Sequence, residues 1–258
     1  MHIALRHWLI VPLLFLTACA GGGDKFPYPV QFVDSTQVTP TVLPAPPTAG
    51  SKQEKREING IIARQKAMGP EDEARILEQD HIRPEMILLP VVGIQYTRES
   101  YPHLYALMAH AASDAWRIGD NTQDFWNRTR PWLVDSRVKL YAKKITRPSY
   151  PSGHTTTNHV WAHLLSELFP VYRVALFERA YDIGMTRSLG GVHYPSDVVA
   201  GRQLAGKIYE KMKQNPQFQA ELAAARAELS APIAANDNVP QPMECMASEP
   251  GVSMTMCR

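Results

Sequence analysis

The sequence has little cysteine, almost no excess charge and no apolar run long enough to span a bilayer. Its 258 residues include three cysteines, which excludes a small disulfide-stapled fold. Lys and Arg number 27 against 25 Asp and Glu, and a net charge of +2 gives no electrostatic footprint for nucleic acid. A hydrophobic content of 45% argues against disorder throughout. The composition therefore indicates a folded protein that does not bind nucleic acid.

The N-terminus has the pattern of a bacterial export signal with a lipid attachment site. Arg6 precedes nine apolar residues, Trp8 to Leu16, too few to cross a bilayer core of about 30 Å as a helix. The following Thr17-Ala18-Cys19 completes a stretch that resembles a lipobox. The sequence predicts a signal peptide over residues 1–18 and acylation of Cys19, with an ordinary signal peptide as the alternative. It thus predicts a lipid-anchored protein of the bacterial envelope that faces the periplasm, at the outer membrane.

Both ends of the remaining chain are rich in small residues and proline. Residues 19–52 show no helical or strand periodicity, which predicts a semi-extended tether between the membrane and a folded domain. Residues 231–258 predict an irregular tail, in which Cys245 and Cys257 either pair or stay as thiols. The folded domain is predicted over residues 53–230.

Within that domain, apolar residues recur at spacings of three and four, the period of a helix. The predicted helices are Gln53 to Met68, Pro70 to Ile82, Tyr101 to Ile118, His154 to Leu168, Val171 to Thr186, Ser196 to Lys213 and Gln217 to Leu229. Met86 to Tyr96 has β-branched character, but Pro84 and Pro90 bracket it, so the sequence predicts a loop there. The predicted fold class is all-α, a helical bundle.

Three clusters carry residue types suited to chemistry. They are Gln123-x6-Arg130-Pro131, Ser149-Tyr150-Pro151-Ser152-Gly153-His154-Thr155, and Thr186-Arg187-x5-His193-x3-Asp197. In the second cluster a Pro-Ser-Gly turn leads directly into a predicted helix. The N–H groups of Ser152, Gly153 and His154 are therefore expected to be unpaired at a helix N-terminus, which is an anion site.

The other two clusters supply cations and a candidate nucleophile. Asp197 follows His193 by four residues and is expected to accept its Nδ1–H, which leaves Nε2 free to attack. Pro131 moves Arg130 out of the helical region and so ends a helix there. With Arg187, these groups form a set suited to binding and transferring phosphate.

Two neighbouring motifs are interpreted as having no functional role. Arg147-Pro148 is a second Arg-Pro pair, but it lies too close to His154 for an intervening element, so it is interpreted as structural. Asn127-Arg128-Thr129 matches a glycosylation sequon, which a bacterial export signal makes a chance match.

A single His-x3-Asp pair is more often a helix-start ion pair than a catalytic dyad, so the functional interpretation depends on the combination of the three clusters.

The three clusters together resemble the type-2 phosphatidic acid phosphatase (PAP2) superfamily, which also includes bacterial class A nonspecific acid phosphatases and vanadium haloperoxidases. The family pattern is Lys-x6-Arg-Pro, Pro-Ser-Gly-His and Ser-Arg-x5-His-x3-Asp. The second motif matches fully and is especially similar to the soluble acid phosphatase version. The third has Thr186 in place of Ser, and the first has Gln123 in place of Lys.

The resemblance implies a helical bundle and a metal-independent phosphomonoester hydrolase without a cofactor. His193 would be the nucleophile that forms a phosphohistidine, Asp197 would orient it, and His154 would be the general acid and later the base. The phosphoryl oxygens would be held by Arg130, Arg187, Ser152, Gly153 and Gln123. The implied partner is a phosphorylated small molecule or a lipid headgroup.

Gln123 leaves alternatives open because an amide donates a hydrogen bond but carries no charge. The first is a phosphatase with altered substrate preference. The second is a vanadium-dependent haloperoxidase, which has the same anion site but usually retains the lysine. The third is a lipoprotein that binds a phosphorylated ligand without turnover, which the retained His193 and His154 argue against.

Overall fold

The computed structural model describes residues 29–230, and the regular elements of this range are all helices. The predicted all-α fold is confirmed. The predicted signal peptide, Cys19 and the tail with Cys245 and Cys257 lie outside the described residues. In the part that is described, no helix has both the length and the apolar character needed to cross a membrane.

The helices follow the predicted segments closely. They are α1 (Lys52–Lys66), α2 (Pro70–Glu78), α3 (Glu85–Val92), α4 (Pro102–Trp126), α5 (Pro131–Val134), α6 (Gly153–Leu168), α7 (Arg173–Leu189), α8 (Pro195–Met212) and α9 (Pro216–Ser230). Short 3-10 turns lie at Pro40–Val42 and Pro170–Tyr172. Several helices begin with proline, which lacks the N–H that a first turn leaves unbonded. Helix α4 runs two turns past its predicted end and so carries Gln123 on a helix.

Helix α3 corrects the predicted loop over Met86 to Tyr96. Pro84 lies at the N-terminus of this helix, where proline is tolerated. Pro90 lies inside it and cannot donate to the carbonyl of Met86, four residues earlier. The Nε of Arg179 donates to that carbonyl instead, at 2.9 Å. A side chain from α7 therefore replaces the hydrogen bond that proline removes.

The central helix α6 packs against α4, α7 and α8. The indole N–H of Trp161 on α6 donates to the carbonyl of Met108 on α4, at 2.9 Å. Two glycines allow the other helices to approach the start of α6. A Cβ at Gly184 would lie 2.7 Å from Thr155 Oγ1, and one at Gly201 would lie 2.7 Å from the carbonyl oxygen of Ser152. These close approaches bring α7 and α8, which flank the third cluster, against the second cluster.

The segment before α1 corrects the predicted tether. Phe32, Val33, Val38 and Leu43 are buried in the main core. The backbone N–H groups of residues 31, 32 and 33 all donate to the carboxylate of Asp114 on α4, at 3.0, 2.7 and 3.0 Å. Asp114 is fully buried, so these three donors satisfy a charge that would otherwise be costly. From residue 31 onward the segment is part of the helical body.

Candidate active site

His193 lies in the turn between α7 and α8 and is buried. Its Nδ1 is 2.8 Å from the carbonyl oxygen of Ser149, and a carbonyl only accepts, so Nδ1 carries the proton. The other nitrogen, Nε2, lies 3.3 Å from Nη1 of Arg130 and holds the lone pair. The predicted Nδ1 acceptor, Asp197, is farther away, with Oδ2 at 3.4 Å. The Ser149 carbonyl is therefore the closer partner of His193 Nδ1, and the negative charge of Asp197 lies just beyond it.

Asp197 is committed chiefly to other partners. Its Oδ2 accepts the backbone N–H of Tyr194 at 2.9 Å, and its Oδ1 accepts Nη1 of Arg128 at 2.6 Å. The carboxylate is fully buried. Burial raises its pKa to about 6, and the adjacent Arg128 opposes that rise. Asp197 therefore fixes the start of α8, immediately after His193, and pairs with a buried cation.

Arg128 is a residue that sequence reasoning missed. Its Nη1 also donates to Ser196 Oγ at 2.7 Å, and its Nη2 pairs with Glu57 at 3.1 Å. The guanidinium lies 3.6 Å from the centre of the Tyr194 ring. In the sequence Arg128 stands inside residues 127–129, which match a glycosylation sequon. The signal in the sequence was a second arginine two residues before Arg130.

Arg130 lies directly before α5 with extended backbone angles, φ −70° and ψ 150°, as the following proline predicts. Its guanidinium donates to the carbonyl oxygens of Arg147, Pro148 and Val192, at 2.6, 3.0 and 2.7 Å. The side chain is buried, and burial lowers its pKa to about 10. Neutral carbonyls hold it in place, so its positive charge is available to an anion.

The second cluster forms the N-terminus of α6, with one correction. Ser152 Oγ caps the helix by accepting from the N–H of Thr155, at 3.4 Å. The N–H of Ser152 was expected to be unpaired, but it donates to the backbone carbonyl of Asp197 at 3.0 Å. Gly153 and His154 then open the helix, where the first N–H groups have no acceptor within the helix.

His154 and Arg187 both contact Asp80, a second residue that the sequence analysis missed. Nε2 of His154 lies 3.0 Å from the carbonyl oxygen of Asp80, so this nitrogen is the donor. Nη1 of Arg187 lies 2.6 Å from Asp80 Oδ1, and the arginine side chain is fully buried. Burial, and next the positive charge of Arg187, lower the pKa of His154 well below its usual value. The pKa of His193 is also lowered well below its usual value, first by burial and then by the positive charges of Arg130 and Arg187.

Gln123 links α4 to the second cluster. Its Nε2 donates to the carbonyl oxygen of Pro151 at 2.8 Å, and the side chain is buried. The amide therefore supports the turn that leads into α6.

A cavity of about 170 Å³ joins these groups. Five of the eight predicted site residues line it: Gln123, Arg130, Gly153, His154 and His193. Ser152, Arg187 and Asp197 lie behind them. The rest of the lining is Asp80, Trp116, Asp120, Lys143, Ile145 and Arg147.

Arg147, interpreted from the sequence as structural, belongs to this lining. It pairs with Asp120 at 3.1 Å and Asp124 at 2.9 Å on α4. Its carbonyl oxygen accepts from Arg130, so it also has the predicted structural role.

A buried histidine with an unprotonated Nε2, beside arginines and a helix N-terminus, defines a site suited to phosphoryl groups. Comparison with known proteins agrees. Residues 104–208 match the family model described as PAP2 superfamily. The family resemblance found in the sequence is thereby confirmed.

Relatives with assigned names are phosphatases. The chain is 29% identical to a "Non-specific acid phosphatase" of Providencia stuartii, over 54% of this chain and 58% of that protein. It is 27% identical to an "Acid phosphatase" of Zymomonas mobilis, over 72% of this chain and 74% of that protein. A shorter stretch is 50% identical to a "Lipid A 1-phosphatase" of Rhizobium etli, over 22% of this chain and 25% of that protein. Against the first of these relatives, the chain spans less than two thirds of the relative's length.

Proposed function

We propose that this protein is a phosphoric monoester hydrolase that works through a phosphohistidine intermediate without a metal ion. The observation that carries the proposal is the state of His193. Its Nδ1–H is bound by a backbone carbonyl, and its Nε2 lone pair lies 3.3 Å from Arg130 in the cavity. A neutral imidazole with one fixed tautomer is a nucleophile that needs no further deprotonation.

The reaction proceeds in two displacements. In the first, Nε2 of His193 attacks phosphorus, a P–N bond forms and the ester P–O bond breaks, while His154 donates a proton to the departing alkoxide. In the second, His154 accepts a proton from water, the resulting hydroxide attacks phosphorus, and the P–N bond breaks. Inorganic phosphate and the starting histidine are the products.

Charge on the phosphoryl oxygens is balanced by groups fixed before the substrate arrives. Arg130 is held by three carbonyls and Arg187 by an ion pair, so neither needs to reorganise during the reaction. The N–H groups of Gly153 and His154 at the start of α6 add donors in the same region. These cations take the part that a divalent metal has in other phosphatases.

The pH dependence tests the proposed acid. Because burial and the positive charge of Arg187 lower the pKa of His154 well below its usual value, its protonated form is lost as pH rises, and kcat/KM should fall with rising pH. Burial and the neighbouring Arg130 lower the pKa of His193 as well, which favours the neutral form of the nucleophile. The measurement is hydrolysis of p-nitrophenyl phosphate between about pH 4 and about pH 8, in EDTA. A rate that rises with pH, or that EDTA abolishes, would contradict the mechanism.

The substitution Gln123→Lys tests the departure from the family pattern. Lysine places a charge beside the cavity where the amide now donates to Pro151, and a charge-assisted contact should raise kcat/KM about tenfold. The measurement is steady-state kinetics with p-nitrophenyl phosphate. Gln123→Met is the matched control, because it keeps the length and removes the donor. No gain with lysine would indicate that the site is adapted to the amide.

We further propose that the substrate is a phosphomonoester, either soluble or on a lipid headgroup, since the named relatives are acid phosphatases and a lipid A 1-phosphatase. The lipobox-like stretch ending at Cys19 supports a lipid anchor and an envelope location facing the periplasm, at the outer membrane. Metabolic labelling with a fatty-acid analogue, lost in Cys19→Ser, tests the anchor. A label that persists in that variant would contradict it.

A further inference from the structure

The loop between α5 and α6 is bound at two points to other elements of the site. The backbone N–H of Ala142 donates at 3.2 Å to the carbonyl of Gly190, in the turn between α7 and α8. Farther along the loop, the carbonyl of Arg147 accepts from Nε of Arg130 at 2.6 Å. The residues between these two contacts, 143–146, are therefore held close to the cavity.

Alternate residues of this segment line the cavity. They are Lys143, Ile145 and Arg147. The ammonium of the intervening Lys144 lies 5.3 Å from the centre of the Trp132 ring instead. Because successive side chains of an extended chain point to opposite sides, this alternation directs Lys143 toward the cavity and Lys144 away from it.

The main chain of Lys143 fixes its place beside the cavity. Its backbone N–H donates at 2.9 Å to Oδ2 of Asp80, another residue of the lining. The residue as a whole is exposed, so its side chain is not needed for packing. The ammonium can therefore contact a ligand in the cavity without any change in the fold.

The charged side chains of the cavity lining differ in their partners. Arg130 donates to three backbone carbonyls, and Arg147 pairs with Asp120 at 3.1 Å and Asp124 at 2.9 Å. In the part of the chain that the structure describes, no carboxylate pairs with the ammonium of Lys143. Its charge is not offset by the protein, so an anion in the cavity is the partner that it can gain.

We propose that Lys143 is a phosphate-binding residue whose ammonium contacts a phosphoryl oxygen of the substrate. It supplies from the α5–α6 loop a positive charge that Gln123 cannot, because that neutral amide already donates to the carbonyl of Pro151. The role depends on the proposed function, in which this cavity holds the phosphoryl group. The competing interpretation is that Lys143 contacts an anionic group in the rest of the substrate. Inorganic phosphate distinguishes the two, because it has no such group.

The experiment compares Lys143→Met with wild type, both as the full chain, by titration calorimetry with inorganic phosphate and by kinetics with p-nitrophenyl phosphate. Methionine keeps the length of the side chain and removes its charge, and the backbone N–H to Asp80 stays. We expect phosphate affinity to weaken about tenfold and KM to rise similarly, with kcat changed less than about threefold. Lys144→Met is the matched control, because that lysine is also exposed but lies over Trp132. The control should stay within about twofold of wild type.

The variant Lys143→Arg tests whether the charge is what matters. It keeps the positive charge and should bind phosphate within about threefold of wild type. A loss as large as in Lys143→Met would overturn the proposal. Unchanged phosphate binding in Lys143→Met would also overturn it. A purely structural role would lower the folded fraction, measured by circular dichroism, without changing phosphate affinity per folded molecule, which has the same consequence.

Adding Gln123→Lys to Lys143→Met tests whether one cation can replace the other. The double variant should bind phosphate within about threefold of wild type, because it again has a lysine beside the cavity. Binding as weak as in Lys143→Met would show that Lys143 does not supply the charge missing at position 123, and that part of the proposal would be wrong.

Failure of the proposed function is distinguishable from failure of this inference. A wild-type protein that binds phosphate but does not hydrolyse the ester refutes the function, and the calorimetric comparison still tests Lys143. A wild-type protein that hydrolyses the ester, with a Lys143→Met variant that binds phosphate equally well, refutes the role of Lys143 alone. A wild-type protein that binds no phosphate refutes both.

Discussion

Replacing His193 with alanine should lower kcat for p-nitrophenyl phosphate by at least about 10⁴-fold, because the variant has no atom to form the P–N bond. The arginines and the α6 N-terminus remain, so inorganic phosphate should still bind with an affinity within about threefold of wild type. Loss of turnover with retained binding is the signature of a missing nucleophile. The measurement combines steady-state kinetics with calorimetry on the same preparation.

The matched control is His103→Ala, which removes an exposed histidine near the start of α4 and should leave kcat unchanged. Quenching with an alkaline denaturant during turnover adds a direct check. Wild type should carry an acid-labile, alkali-stable phosphate, as expected for a P–N bond, and His193→Ala should carry none. Turnover in His193→Ala within about tenfold of wild type would show that another group attacks phosphorus.

Replacing Arg128 with alanine should have the largest effect on stability. The variant leaves Asp197 fully buried without its cation, and removing one partner of a buried pair costs about 3–5 kcal/mol. For a domain of this size that corresponds to a fall in Tm of roughly 6–20 °C. Thermal unfolding followed by circular dichroism measures it. Arg137→Ala is the control, because Arg137 is 64% exposed in its pair with Asp135 and should have little effect.

A double variant tests the cause of that loss. Arg128→Ala combined with Asp197→Ala removes both charges, so the pair should lose less stability than the sum of the two single variants. Strict additivity would show that Arg128 stabilises the protein through its contacts with Glu57 and the Tyr194 ring instead. Either result assigns the energy to a named contact.

Most of the fold could be predicted from local patterns, and the exceptions depend on distant contacts. Apolar spacing located the long helices because each buries one face against its neighbours. Helix α3 could not be predicted, since the donor that compensates for Pro90 belongs to Arg179 on α7. The packing of residues 31–33 could not be predicted either, because their N–H groups donate to the carboxylate of Asp114, more than 80 residues away.

The site shows the same division. His193, His154 and Arg130 lie in short motifs, so their types and spacing were readable, and all three line the cavity. The acceptor for His193 Nδ1 was not readable, because every residue has a carbonyl and nothing marks Ser149 as the one that is used. Asp80 carries no motif of its own, and its relevance depends on the fold bringing α2 to the end of α7.

The hydrogen bonds from residues 31–33 to Asp114 limit how far the folded body can lie from Cys19. A chain extended from Cys19 to Ser51 would allow up to about 110 Å between these two residues, counting about 3.5 Å for each residue. Because the body begins at Gln31, twelve residues remain, and they span at most about 40 Å. If Cys19 is acylated as proposed, Gln31 lies within about 40 Å of the bilayer surface, so phosphate esters displayed on that surface would be held near the folded body.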